Sequence, residues 1–122
     1  MKKMKNNNLK ISLILFILLS ISGCGQMEEV MKKSEDIQKS LTTHCDCEEV
    51  RMINYSINNF TTTANYELVG CKFRSPKEEA LRILTFLKKD VQGFCDIDEF
   101  TLDFINKGNH RPVLIEKCKL SE

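Results

Sequence analysis

Between Ser75 and Gly93 the sequence reads SPKEEALRILTFLKKDVQG, a strong helix signal. Ser75 is a suitable N-cap, Pro76 suits the first helical position, and Glu78 stands where a capping box requires an acid. Gly93 is a suitable stop, so we predict a helix that runs to about Val91. Its apolar residues recur on one face at Ala80, Ile83, Leu84, Leu87 and Val91. Because this face is long and apolar, we expect the helix to be the central packing element.

Stretches of alternating apolar and polar residues on both sides of this helix predict two β-hairpins. Residues 49–59 and 65–73 form the pair before it, and a change of phase near Met52 predicts a β-bulge there. Residues 97–105 and 112–120 form the pair after it. The second strand of that pair begins with a proline, which suits an edge or first position.

An amphipathic stretch at residues 26–41 adds a first helix, so the predicted order is α-β-β-α-β-β. We therefore predict a single small α+β domain over residues 24–122. It would consist of one four-stranded, mainly antiparallel sheet with the helices packed on one face. The second helix would form a right-handed crossover between the two hairpins.

The distribution of charge argues against nucleic acid as a partner. The chain has 122 residues, which suffice for one domain, and 29% of them are charged. Four of the 18 basic residues and none of the 17 acidic ones precede Cys24, so the remainder has a formal net charge of −3. A mildly acidic domain without a basic stripe is a poor nucleic-acid binder.

The first residues have the organisation of an export signal. Four lysines precede an uncharged apolar run from Ile11 to Ile21, which at about 11 residues is shorter than the roughly 20 that a membrane-spanning helix needs. The tetrapeptide Ile21-Ser22-Gly23-Cys24 follows. It resembles the lipobox of bacterial lipoproteins, and this resemblance implies a signal peptide at residues 1–23, cleavage before Cys24 and attachment of lipid to the Cys24 sulfur.

The same resemblance implies an exported protein held on the bacterial cell membrane through lipid on Cys24. Two acyl chains on such a cysteine anchor a protein stably. Gly25 is not the aspartate that resembles an inner-membrane retention signal, so the outer membrane is the better expectation if the cell has one. The alternatives are an ordinary cleaved signal peptide and a retained membrane helix.

Five further cysteines predict disulfides, since an exported protein meets an oxidising compartment. In the second hairpin, Cys95 before the first strand would lie near Cys118 late in the second. In the first hairpin, Cys71 would lie near either Cys45 or Cys47, and the sequence leaves that choice open. One thiol would then remain unpaired.

The segment His44-Cys45-Asp46-Cys47 is the main candidate for metal chemistry. Two thiolates and an imidazole are ligands for Zn(II) or Cu(I), although the second cysteine pair typical of zinc sites is missing. Thiol exchange at the Cys-x-Cys pair is a further alternative. His110 lies in a polar stretch and is expected to be an exposed loop residue, with Glu99 and Asp103 on the solvated side of the third strand.

No recognised catalytic motif occurs in the sequence, and no cofactor is expected. We therefore predict a non-enzymatic, lipid-anchored envelope domain that binds another protein or a small ligand, with an exposed sheet edge as the docking surface. The alternative is an envelope metal-binding protein that uses His44, Cys45 and Cys47.

Overall fold

The computed structural model describes residues 27–121, of which residues 33–121 form one compact unit. The predicted signal peptide and the lipid-bearing Cys24 lie outside this range. No helix within residues 27–121 is long and apolar enough to cross a membrane. The elements are α1 (27–44), β1 (Glu49–Asn58), β2 (Thr61–Val69), α2 (Pro76–Asp90), a 3₁₀ turn (Phe94–Asp96), β3 (Glu99–Asn106), β4 (Asn109–Glu116) and β5 (Lys119–Leu120).

The predicted fold class is confirmed in its coarse form: the domain is α+β, with two helices and one mixed sheet. The strand order is β1-β2-β3-β4-β5, with every neighbouring pair antiparallel except β2 and β3. That parallel pair is the one that α2 connects, as a crossover requires. The sheet has five strands where the sequence predicted four, because the stretch predicted as one strand at 112–120 reverses at Lys117 and Cys118.

Three two-residue turns explain where the predicted strand boundaries were wrong. Each turn has positive φ at both positions, the backbone sign of a type I′ hairpin turn. Such tight turns let β2 begin at Thr61 and β4 at Asn109, earlier than predicted. The turns are Asn59-Phe60 (φ 50° and 65°), Lys107-Gly108 (52° and 80°) and Lys117-Cys118 (44° and 64°).

The predicted N-terminus of α2 is present. The Ser75 hydroxyl accepts a hydrogen bond from the Glu78 backbone N–H at 3.1 Å, and Pro76 occupies the first turn. The helix ends at Asp90, and the Val91 backbone N–H still donates to the Leu87 carbonyl. Gly93 follows with φ 72°, a left-handed conformation that glycine adopts without strain.

One face of the sheet forms the core. Alternate residues of the central strands point to this face, and the buried residues of both helices pack against them. The Tyr66 hydroxyl donates a hydrogen bond to the Ser34 carbonyl of α1 at 3.0 Å. The buried hydrophobic side chains are Ile37, Leu41, Ala64, Tyr66, Leu68, Ala80, Ile83, Leu84, Leu87, Val91, Phe94, Ile97, Phe100, Leu102, Phe104 and Ile115.

Candidate functional site

Two disulfides close the ends of the two hairpins. Cys95 is bonded to Cys118, and Cys47 is bonded to Cys71. The choice that the sequence left open is decided by strand register. The Glu48 N–H donates to the Val69 carbonyl and the Lys72 N–H to the Asp46 carbonyl, which brings Cys47 opposite Cys71.

Cys45 is the remaining thiol, and it is half-buried. Burial, and to a smaller extent the nearby Glu79 carboxylate, raise the pKa of the Cys45 thiol to about 11, while Arg82 acts in the opposite direction. Because the thiolate is the form that attacks and that binds metals, Cys45 is a weak nucleophile and a weak ligand at neutral pH.

His44 is engaged by α2 and does not join the cysteines. Its Nε2 lies 3.0 Å from Asp90 Oδ2, and its ring stacks on Phe86 with the centroids 4.4 Å apart. Since Cys47 is disulfide-bonded, the structure does not assemble His44, Cys45 and Cys47 as a set of metal ligands.

A serine also contacts Asp90, but the arrangement is not that of a hydrolase. The nearly buried Ser40 hydroxyl donates to the same Asp90 Oδ2 at 2.9 Å. In a Ser-His-Asp triad the histidine accepts the serine proton and lies between the other two. Here Asp90 lies between Ser40 and His44, so His44 has no route to activate the serine. The three side chains instead join α1 to α2 beside a cleft of about 330 Å³.

The part of the β1–β2 hairpin around its turn carries no charged side chain. Residues 52–66 contain no Asp, Glu, Lys, Arg or His, although 29% of the whole chain is charged. Apolar side chains stand exposed along it, at Met52, Ile53 and Ile57, and Phe60 at its tip is fully exposed. We refer to residues 52–66 as the uncharged hairpin.

The predicted β-bulge is present within this hairpin. Met52 is paired with Tyr66 and Asn54 with Asn65, so Ile53 is the extra residue. An extra residue moves the following side chains to the other phase and bends the strand. As a result Tyr55 faces the helix side, where it is half-buried, while Ile53 is exposed.

β1 is also an edge strand, since β2 is its only neighbour in the sheet. Asn58 and Thr61 close the two-residue turn, and hydrogen-bonded pairs alternate from there along an antiparallel ladder. The backbone groups of Ile57 and Tyr55 therefore point away from β2. Nearer the start of the strand, the Gln38 side chain donates to the Val50 carbonyl at 2.7 Å and covers that part of the edge.

The opposite edge of the sheet is built differently. Pro112 is paired with Asp103 of β3, three pairs beyond the Asn106–Asn109 pair that closes the turn. By the same alternation its backbone nitrogen faces outward, where proline has no N–H to offer an incoming strand. β5 covers the far end of β4, and Cys118 ties the turn between them to Cys95. Pro112 therefore removes an outward donor from this edge, whereas on β1 both Tyr55 and Ile57 keep their outward N–H and C=O groups.

His110 is not in a loop, as the sequence predicted, but in β4. The polar stretch around it folds as the two-residue turn Lys107-Gly108, so the strand already includes His110. Its Nδ1 lies 2.8 Å from Asp103 Oδ2. Asp103 and Glu99 lie on the face away from the core, as expected, although Asp103 is partly buried there.

Sequence reasoning missed the uncharged hairpin as a surface, although its signal was available. The alternation of residues 52–66 was interpreted only as secondary structure, whereas the lack of charge along them is equally visible in the sequence. The tight turn that exposes Phe60 has no comparable signal, because Asn-Phe is not a typical type I′ pair.

No protein-family model, no curated protein and no solved structure matches this chain.

Proposed function

We propose that the protein is a non-enzymatic, lipid-anchored component of the bacterial cell envelope, and that its uncharged hairpin binds a partner protein. The partner would contribute an extended segment that pairs with the edge of β1. The observation that carries this proposal is the part of the β1 edge from Met52 to Asn58, which has no charged residue and no proline, together with the fully exposed Phe60 in the turn that follows it.

The first argument is the contrast between the two sheet edges. Exposed edges are usually blunted by charges, by proline or by very short strands, because an open edge invites pairing with other chains. The edge formed by β4 and β5 has Pro112 and a two-residue strand. The β1 edge has neither a proline nor a charge between Met52 and Asn58, which is the composition of a strand that pairs with a partner.

The second argument concerns Phe60, which is unfavourable for the isolated domain in two respects. Its φ of 65° lies in the left-handed region, which costs a non-glycine residue roughly 1–2 kcal/mol. Its side chain is fully exposed, whereas burial of a phenylalanine contributes about 1.5–3 kcal/mol. Aromatic side chains are enriched in binding hot spots, so a partner that buries Phe60 would gain the burial free energy that the isolated domain does not obtain.

Addition of a partner strand to β1 would use both the free backbone groups and the exposed apolar side chains of that strand. When a strand is added to a sheet, backbone hydrogen bonds supply affinity and alternate side chains supply specificity. Tyr55 and Ile57 supply the outward backbone groups, and Ile53 and Ile57 supply exposed apolar side chains beside them. Lipid on Cys24, which the lipobox resemblance implies, would confine the search for a partner to the membrane surface.

Site-specific photo-crosslinking in cells tests the binding surface. A photoreactive residue would replace Ile57 or Phe60, and in the matched control it would replace Lys119 on the opposite edge. We expect both hairpin positions to capture the same protein, identified by mass spectrometry, and Lys119 to capture none of it. Adding Ile53→Lys should abolish the product at Ile57. Equal capture from Lys119, or crosslinks only to lipid, would refute the proposal.

The anchor is tested separately by intact mass of the membrane-extracted protein beside a Cys24→Ala variant. We expect a chain that begins at Cys24 and carries lipid mass, and a variant that is released from the membrane fraction. An unlipidated native protein would exclude the anchor and leave the binding surface to be judged by crosslinking alone.

A further inference from the structure

The face of the sheet opposite the core gathers three metal-binding side chains on three adjacent strands. Glu67 of β2 is the register partner of Asp103 of β3, and Asp103 is in turn paired with Pro112 of β4. His110 lies two positions before Pro112 and hence on the same face. One ligand atom from each of Glu67, Asp103 and His110 lies within 4.8 Å of the other two, and this is the one such group among residues 27–121.

Asp103 has a carboxylate oxygen that lacks a hydrogen-bond donor among the described residues. Its Oδ2 lies 2.8 Å from His110 Nδ1, whereas its Oδ1 is buried and has no hydrogen-bond partner among residues 27–121. A carboxylate oxygen removed from water without a donor is unfavourable, because nothing replaces its lost hydration. A cation bound by both carboxylate oxygens of Asp103 would supply that compensation.

The two carboxylates of this cluster also favour a bound cation. Two carboxylates on directly neighbouring strands repel each other. The nearest guanidinium is that of Arg51, whose Nη2 lies 3.3 Å from Glu67 Oε1. Arg51 thus pairs with Glu67, and the partner of Asp103 is the His110 ring.

We propose that Glu67, Asp103 and His110 bind a divalent first-row transition-metal ion of the zinc(II) class. Two carboxylates and one imidazole form a mixed oxygen and nitrogen set, which suits such ions better than the all-oxygen sets of calcium or magnesium. With metal–ligand bonds of about 2.0–2.2 Å, ligand atoms around a tetrahedral ion lie roughly 3.3–3.6 Å apart. The Nδ1–Oδ2 distance of 2.8 Å is shorter than this, so these two atoms would move apart by roughly half an ångström to bind one ion, and the Glu67 carboxylate would approach them.

Rotation of the half-exposed Arg51 away from Glu67 would allow that approach. Three protein ligands would leave one coordination position open to solvent, since His110 and Asp103 are on the surface. The site is on the face of the sheet, whereas the proposed partner surface is the edge of β1, so this proposal does not depend on the proposed function.

Zinc titration of the full-length protein in detergent, after chelator treatment, tests the proposal by isothermal titration calorimetry. We expect one zinc ion per chain. His110→Ala and Asp103→Asn should each weaken zinc affinity by more than the roughly 10–100-fold that loss of an outer-shell partner costs. Arg51→Ala should strengthen it, because it removes the cation that competes for Glu67.

The matched controls are His44→Ala, which removes the other histidine and also breaks an Asp–His contact, and Cys45→Ser, which removes the remaining thiol. Both should bind zinc with the affinity of the wild type. Thermal unfolding in the absence of zinc verifies that each variant is folded. The proposal is overturned if the wild type binds no zinc, if His110→Ala and Asp103→Asn bind as the wild type does, or if the His44 or Cys45 variant loses the site instead.

Discussion

Replacing Phe60 with glycine should stabilise the domain and at the same time abolish binding of its partner. Phe60 occupies the second position of a type I′ turn with φ 65°, and its side chain has no buried surface to lose. Glycine relieves about 1–2 kcal/mol of left-handed strain. Glycine also has more conformational freedom in the unfolded chain, and this offsets about 0.5–1 kcal/mol of the stabilisation.

The midpoints of these two ranges, about 1.5 and about 0.75 kcal/mol, give an expected net gain of about 0.75 kcal/mol in the free energy of unfolding. For a domain of this size a gain of that magnitude raises the melting temperature by about 2–8 °C. Urea unfolding followed by circular dichroism measures the free energy, and the in-cell crosslink from Ile57 measures binding.

Substitution of Gly108 provides a control in which stability should fall instead of rise, since Gly108 occupies the equivalent position of another two-residue turn. Its φ is 80°, and a methyl group added there would contact nothing within 4 Å. Gly108→Ala should thus cost about 0.5–1 kcal/mol through the backbone alone. It should leave the Ile57 crosslink unchanged.

Two results would refute this reasoning. A Phe60→Gly variant that is less stable than the wild type would mean that the ring packs on the domain. A stabilised variant that still binds would remove Phe60 from the interface and reduce the proposed surface to the backbone edge of β1.

Three further perturbations follow from the disulfides, the thiol and the helix cap. The double variant Cys95→Ser and Cys118→Ser opens a loop with a sequence separation of 23, and its free energy of unfolding in urea should be about 3 kcal/mol lower than that of the wild type. Selective reduction of the same bond in the wild type should have the same effect. Cys45, with its pKa raised from 9.0 to about 11, should react with iodoacetamide at pH 8 roughly 100-fold more slowly than an unfolded control, and a rate equal to the control would contradict its burial. The Cys45 thiol ionises at lower pH in the unfolded chain than in the folded one, so the free energy of unfolding falls as pH rises from about 9 toward 11. Cys45→Ala should reduce that slope and leave the part due to Tyr55 and Tyr66, whose pKa values are also raised by burial. Ser75→Ala should cost about 1 kcal/mol by removing the cap of α2, and an unchanged midpoint in urea would show that the cap is not needed.

Local chemistry made α2 and the β-bulge predictable. Ser75 and Pro76 define the helix start by capping and by the fixed φ of proline, which act within one turn of the chain. The change of phase near Met52 could be read directly, because side chains alternate strictly along a strand. A crossover helix between the two hairpins was predicted as well, although the sequence did not say that β2 and β3 are the strands that pair in parallel.

The tight turns were harder to predict from the sequence. Asn59-Phe60 and Lys117-Cys118 place non-glycine residues at positive φ, which local preference disfavours, so tertiary pairing must impose these turns. This hid β5 and the true start of β2. The Lys107-Gly108 turn had a glycine, yet the polar residues beside it suggested a longer loop and concealed the position of His110 in β4.

The candidate sites depend on register, which a sequence fixes only weakly. Cys45 and Cys47 were equivalent choices until hydrogen bonds on either side of Cys47 aligned it with Cys71. Likewise Glu67 and Asp103 are 36 positions apart in the sequence, and only the parallel β2–β3 pairing makes them neighbours.

The order of the two disulfides along the chain would matter for oxidative folding during the export that we propose. Cys47 is bonded to Cys71 and Cys95 to Cys118, so the bonds are consecutive and neither encloses the other. A polypeptide that leaves a translocation channel N-terminus first would present each pair in turn. Among the cysteines that follow the proposed lipid site Cys24, an oxidase that joins cysteines in their order of emergence would therefore need to discriminate only at Cys45. Removing that one thiol by Cys45→Ser should make maturation independent of disulfide isomerase, and slow maturation of this variant in cells lacking the isomerase would contradict this.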